Sequence, residues 1–194
     1  KEKMDSYKIK NVHIVSQKKP DVIPFADNEF DFVVVWQVFE HVLDDEGKQK
    51  LMNEATRVVK SGGHVLIETP NFLFPFDYHD NGLPLVHWIF SNKLRRNITK
   101  KIRKEDYPPS QYTTLFGIKR LLKQSPHTKT FKQKTKIYFE EKYFDIFRNL
   151  GGTRKKSKII FFVLYAPIYF IMRLLFLPGD IFTPSLRIVF HIKK

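Results

Sequence analysis

The run Phe32-Val33-Val34-Val35 restricts the possible folds most. Four β-forming apolar residues in a row, without alternation, suit a strand covered on both faces, as in a parallel sheet flanked by helices. Val65-Leu66-Ile67 repeats the pattern, and between the two runs Leu51, Met52, Ala55, Val58 and Val59 recur at helical spacing. Asp44, Asp45 and Glu46 crowd the start of that helix, where its dipole favours anions, and Lys60 stands at its end. Ser61-Gly62-Gly63 then offers the left-handed residue that commonly ends a helix. Strand, helix, glycine turn and strand make a βαβ unit with a right-handed crossover, so the fold class is α/β. Val12-His13-Ile14-Val15 reads as one more short strand upstream. In such sheets ligands bind beyond the carboxyl ends of the strands. That rule points to Ser16-Gln17, Trp36-Gln37-Val38 and Thr69-Pro70-Asn71.

A chain of 194 residues can bury one sizeable core with an appendage. The absence of cysteine excludes disulfides, thiolate zinc sites and cysteine nucleophiles. No charged-then-apolar leader opens the sequence, which begins at Lys1. The expectation is a fragment, a processed product, or a start at Met4. The net charge of +14 is concentrated between Ser91 and Lys158, where 20 Lys and Arg stand against 5 Asp and Glu. Such a stretch suits phosphates of nucleic acid or of lipid headgroups, and equally a solvated surface.

The motifs beside the strands resemble those of class I S-adenosylmethionine-dependent methyltransferases of the type 11 kind. Ile23-Pro24-Phe25-Ala26-Asp27-Asn28-Glu29-Phe30-Asp31 resembles the segment leading into that family's fourth strand. Val38-Phe39-Glu40-His41-Val42 resembles the "VLEHV" after it. Arg57-Val58-Val59-Lys60-Ser61-Gly62-Gly63 is similar to the "RVLKPGG" before the fifth strand, with serine for proline, and Pro70-Asn71 matches the turn beyond it. The resemblance implies a Rossmann-like doubly wound sheet lacking its first strands. It also implies that the family's glycine-rich cofactor loop lies upstream of Lys1. As given, the chain is then expected to bind S-adenosylmethionine poorly or not at all. The position beside the adenine falls on Ser16 and Gln17, with Asp21 as a substitute, and Trp36, Gln37 and Val38 would line the methyl-transfer site.

Two histidines are candidates for catalysis. His41, in the "EHV" stretch, reads either as a general base near neutral pH or as a structural histidine facing a helix. His79 lies in the loop Asp77–Trp88, which resembles an "H-x-x-G-x-P-x-x-H-W" insert of some family members and should overhang the acceptor. It could deprotonate an acceptor hydroxyl. His79, Asp80 and His87 in one loop are too weak a pattern for a metal, and none is assigned.

The expected organisation is a partial methyltransferase core over residues 1–90, a basic and mainly helical extension over 91–158, and an apolar tail over 159–194. Within that tail, Ile159–Met172 is 14 residues without a charge. That is short for a membrane span and fits an interfacial segment, with Arg154, Lys155, Lys156 and Lys158 directly upstream. Residues 154–178 are therefore expected at a membrane surface, in a cytoplasmic protein held at the inner face. The expected activity is methyl transfer to a small-molecule or lipid-like acceptor. An RNA methyltransferase stands second, since Lys93, Arg95, Arg96, Lys100, Lys101, Arg103 and Lys104 are followed by aromatics. A non-enzymatic scaffold or partner subunit is the competing class.

Overall fold

The computed structural model describes residue 15 and residues 22–77, 79–104, 106, 108–134, 163, 167, 171 and 185–194. Ahead of the first strand, Asp27-Asn28 turns the chain, with Asn28 in the left-handed region at φ 58°. Arg57 fixes this turn from the far end of the next helix, donating to the carbonyls of Phe25 and Ile23 (both 2.9 Å) and to Asp27 (2.7 Å). The two motifs around Pro24 and Arg57 thus support each other across more than 30 residues of chain.

Strand β1, Phe30–Trp36, runs parallel to β2, Val59–Pro70, with helix α1, Asp45–Val58, as the crossover. Asp44 caps α1 by accepting from the Gly47 amide at 2.6 Å. Met52, Ala55 and Val58, spaced at three residues, are fully buried. This is the βαβ unit expected from the apolar runs.

The glycine pair does not end the helix. Val59, β-branched and fully buried, is already extended and pairs with Phe30. Ser61-Gly62-Gly63 lies inside β2, where the register jumps from Phe30–Val59 to Phe32–His64. Gly62 takes φ 84° there. A Cβ on Gly63 would stand 2.9 Å from the Asp31 carbonyl oxygen and 3.0 Å from that of Lys60. Asp31 itself accepts from Lys60 Nζ at 2.9 Å.

Beyond β2 come α2, Val86–Ile89, α3, Asn92–Arg103, and α4, Leu115–Gln124. Strands β3, Thr130–Gln133, and β4, Ser185–Lys193, complete a sheet of order β1-β2-β4-β3. β4 is antiparallel to both of its neighbours, so β3 runs in the direction of β1 and β2. The apolar tail thus ends in a central strand, because Leu186, Ile188, Phe190 and Ile192 alternate and bury one face completely. The basic segment likewise gives α4 and β3 to the same core and is not helical throughout.

One face of the sheet packs Val35, Val65, Ile67, Leu186, Ile188 and Phe190 against Met52 and Ala55 of α1 and Ile118 and Leu122 of α4. Thr56 and Ser125 share a buried hydroxyl–hydroxyl bond of 2.6 Å that ties the two helices. On the other face Phe32, Val34 and Trp36 are 48%, 52% and 49% exposed. The continuous apolar run of β1 therefore has helices over one face only among the described residues. Most of residues 154–178, and the upstream run Val12–Ile14, lie outside the described residues. No helix among the described residues is long and apolar enough to cross a membrane.

Candidate functional site

β1 and β2 end side by side, Trp36 opposite Glu68, and the chain beyond each end builds the site. After Trp36 the backbone turns sharply through Gln37, which is held left-handed at φ 50° while its amide donates to the Glu68 carbonyl at 2.8 Å. A non-glycine residue in that region costs free energy and persists only where its surroundings impose it. Trp36 stays half exposed, with the Arg187 guanidinium 5.0 Å above its ring, and Arg187 pairs with the buried Glu68 carboxylate. Trp36 thus carries a cation over its ring and keeps about half of its surface exposed.

A single 3-10 turn, Phe39–His41, follows. It drives Phe39 into the core and buries Glu40 completely. Thr69 Oγ1 donates to Glu40 Oε2 at 3.1 Å, and the Gln111 amide donates to the Glu40 carbonyl at 2.7 Å. Glu40 Oε1 has no hydrogen-bond partner. His41 lies exposed at the end of the turn, its ring 5.7 Å from that of His79.

The loop after β2 closes over this turn. Its frame is a buried polar network. Asp77, Asp80 and Arg95 are all 5% exposed or less. Arg95 donates to Asp80 Oδ2 at 3.1 Å and to the Ser110 carbonyl at 3.0 Å, and lies 5.4 Å from the Tyr112 ring centre. Tyr112 donates its hydroxyl to Asp77. Burial and the two neighbouring carboxylates push the Tyr112 phenol far above its ordinary range, so it serves as a neutral donor.

His79 hangs from this frame. Its Nδ1 lies 3.1 Å from Asp80 Oδ1 and 3.0 Å from Ser110 Oγ, which leaves Nε2 turned toward Glu40 Oε1 at 3.9 Å. The bond to Asp80 holds the His79 imidazolium above its usual range against the opposing effect of burial. For Asp80, burial acts to raise the carboxyl, yet bonds from His79 and Ser110, with the charge of Arg95, outweigh it and keep the acid below its ordinary value. His87 goes the other way. Its Nε2 meets the Phe72 carbonyl at 2.9 Å, and burial holds it neutral, below its usual range. His79, Asp80 and His87 therefore do not converge on one point. The group that does converge is Glu40, His41 and His79, whose ligand atoms all lie within 4.8 Å of one another.

Of the residues expected at the site, Trp36, Gln37, Val38, His41 and His79 gather at the carboxyl ends of β1 and β2. Ser16, Gln17 and Asp21 lie outside the described residues. Sequence reasoning passed over Glu40 and Ser110 as site residues, weighed Asp80 only as a metal ligand, and took Arg95 and Tyr112 only as part of a basic and aromatic stretch. Glu40 had a signal, since it sits between Phe39 and His41 in the quoted motif. Ser110 had none. The basic stretch also changes character: Arg95 is internal, Arg96 and Lys100 pair with Asp106 at 2.6 and 3.0 Å, and Arg103 donates to the His79 carbonyl at 2.6 Å.

The described residues present apolar surface, Trp36 and the 41%-exposed Val38, around the Gln37 amide. This suits the flat and apolar parts of a nucleoside-like cofactor. No glycine precedes Gly47, so a glycine-rich cradle is not among the residues of this chain that could hold one.

The fold is an α/β sheet with its ligand end at β1 and β2. Residues 2–67 match the model of the methyltransferase domain family. This segment is similar to that family, as the motifs imply. No sequence among the curated proteins matches. Among solved structures the chain is similar to the YcgJ protein from Bacillus subtilis, with a TM-score of 0.49 and 13% identity over 100% of this chain and 76% of that one. It is also similar to the PH0226 protein from Pyrococcus horikoshii OT3, with a TM-score of 0.47 and 15% identity over 69% and 59%. A SAM-dependent methyltransferase from Aquifex aeolicus gives a TM-score of 0.34 and 23% identity over 52% and 49%. The chain thus spans from about half to three quarters of these proteins' lengths.

Proposed function

We propose that this chain forms the acceptor side of an S-adenosylmethionine-dependent methyltransferase acting on a small or lipid-like nucleophile. The observation that carries the reading is His79, held through Nδ1 by buried Asp80 and Ser110, with Nε2 free at the ligand end of a methyltransferase-like sheet. When bound, S-adenosylmethionine supplies an electrophilic methyl group on a sulfonium. Trp36, Gln37 and Val38 would line the cofactor's place, with Ser16, Gln17 and Asp21 assigned to its adenine side. The acceptor sits over the 3-10 turn, where the loop after β2 limits its motion, and positioning supplies much of the rate. His79 Nε2 would take the acceptor's proton, and Asp80 would steady the resulting imidazolium. His41 borders the acceptor on the exposed side.

The test is methyl transfer by the intact protein from methyl-labelled S-adenosylmethionine to lipid and small-molecule fractions. His79→Ala is expected to lower turnover about 100-fold or more, with cofactor affinity unchanged. Unchanged turnover contradicts the assignment. The RNA reading draws on the cations at Lys93, Lys101 and Lys104, and it predicts RNA binding that falls steeply with salt. A scaffold would bind no cofactor even as the intact protein. For residues 154–178 we propose a membrane-surface contact, and flotation with anionic liposomes tests it; protein left at the bottom of the gradient contradicts it.

A further inference from the structure

We infer that Glu40, His41 and His79 form a site for a divalent transition-metal ion of the zinc type. Three observations converge. The first is the donor set: one carboxylate oxygen and two imidazole nitrogens lie within 4.8 Å of one another at the ligand end of the sheet. Two histidines with one glutamate and an open fourth position are a recurrent arrangement for a zinc ion that takes an exogenous ligand. The second is Glu40 Oε1, an acceptor in a side chain with no solvent exposure and without a hydrogen-bond partner. A buried carboxylate oxygen left in that state is costly, and a cation removes the cost. The third is the support behind His79. Its Nδ1 is engaged by Asp80 Oδ1 at 3.1 Å and Ser110 Oγ at 3.0 Å. A carboxylate behind one ring nitrogen presents the other to a metal and raises its basicity.

Glu40 is held from its far side by Thr69, so Oε2 is anchored and Oε1 is the free ligand. Ligand atoms around a tetrahedral zinc stand about 3.3 Å apart, against 3.9 Å from Glu40 Oε1 to His79 Nε2. Side-chain rotation would close the site, and His41, the exposed member of the three, is the freest to turn. Three further histidines are engaged elsewhere: His87 is turned onto the Phe72 carbonyl, and His64 and His191 face each other across β2 and β4 with ring centres 5.2 Å apart.

Ion binding stands without any methyl transfer; only its role in catalysis rests on the reading above. There, a cation gives the acceptor a coordination position, which selects an oxygen nucleophile over a carbon one and polarises it. With the ion bound, His79 Nε2 is a ligand and no longer the proton acceptor; the ion takes over activation by lowering the acceptor's pKa, so that its proton passes to solvent.

The experiment is titration of the 194-residue chain with cobalt(II), in the absence of cofactor and acceptor, read by visible absorption. One equivalent is expected to give the strong bands of a four- or five-coordinate ion, displaced by zinc and not by excess magnesium. Glu40→Gln and His41→Ala are expected to weaken binding at least 10-fold, with circular dichroism unchanged. Asp80→Asn, acting through the support behind His79, should cost about 10- to 100-fold. His191→Ala should change nothing. Absence of the bands, bands that survive Glu40→Gln and His41→Ala together, or bands lost in His191→Ala would each overturn the site. A chain that binds cobalt as described but belongs to a protein without methyl transfer refutes the activity and leaves the metal site standing.

Discussion

The middle of β2 and the chain beyond its carboxyl end solve burial by opposite means. Along its middle, Val65 and Ile67 are fully buried among Met52, Ile188 and Phe190, with apolar partners alone. Beyond its carboxyl end, Asp77, Asp80 and Arg95 are as deeply buried but hold one another by charge and hydrogen bonds. Apolar contacts tolerate imperfect geometry and mainly stabilise. Buried charges stabilise little in net terms, since desolvation offsets their attraction, but they fix positions. The molecule uses the first kind of burial for its scaffold and the second to aim His79.

The sharpest way to break that contrast is Asp80→Ala. It strips a partner from the buried Arg95 and the anchor from His79, with an expected loss of about 3–5 kcal/mol in denaturant unfolding. A loss under about 1 kcal/mol would mean that the polar layer is not integral to the fold. On the apolar side, Ile188→Ala should cost about 2–5 kcal/mol by opening a cavity in the core. Its mate on the other face, Val34→Ala, should stay within about 0.5 kcal/mol as an exposed position. Equal effects of the two would mean that both faces of the sheet are covered in solution.

This contrast also explains what could be read from the sequence. Periodicity reveals apolar burial, so β1, α1 and β2 were legible from runs such as Phe32–Val35 and from the spacing of Met52 and Ala55. The alternation in Leu186, Ile188, Phe190 and Ile192 was present as well, but it was absorbed into a longer apolar stretch and its strand went unrecognised. Ser61-Gly62-Gly63 was misplaced because a glycine pair after a helical pattern serves equally as a helix end or as an irregularity in a following strand. The polar layer leaves no local trace. Asp80 and Ser110 are 30 residues apart, and nothing in either neighbourhood announces the other. His79 and His87 looked alike in one loop, and only the fold assigns one to the site and the other to the Phe72 carbonyl.

Smaller effects refine the scaffold side. Removing the cap with Asp44→Ala should destabilise by about 1 kcal/mol, visible as a lower unfolding midpoint with an unchanged slope. The Glu54–Arg57 pair adds a pH dependence. Arg57 bonds to Glu54 at 2.7 and 2.8 Å and holds its carboxyl below the ordinary range. Because the folded value is depressed, this contribution is fully present above the unfolded value of about 4.3 and is lost as pH falls through the folded one. Glu54→Gln should flatten the acid limb of the stability curve, and an unaltered limb would assign acid sensitivity to other carboxylates.

The most direct measurement compares His79→Ala with His87→Ala in the intact protein, following label transfer from S-adenosylmethionine and stability together. The account predicts that His79→Ala loses turnover about 100-fold or more while unfolding near the parent midpoint. His87→Ala should lower the midpoint while the folded fraction keeps its turnover. Equal turnover of the His79 variant and the parent, or loss of turnover confined to the His87 variant, would contradict it.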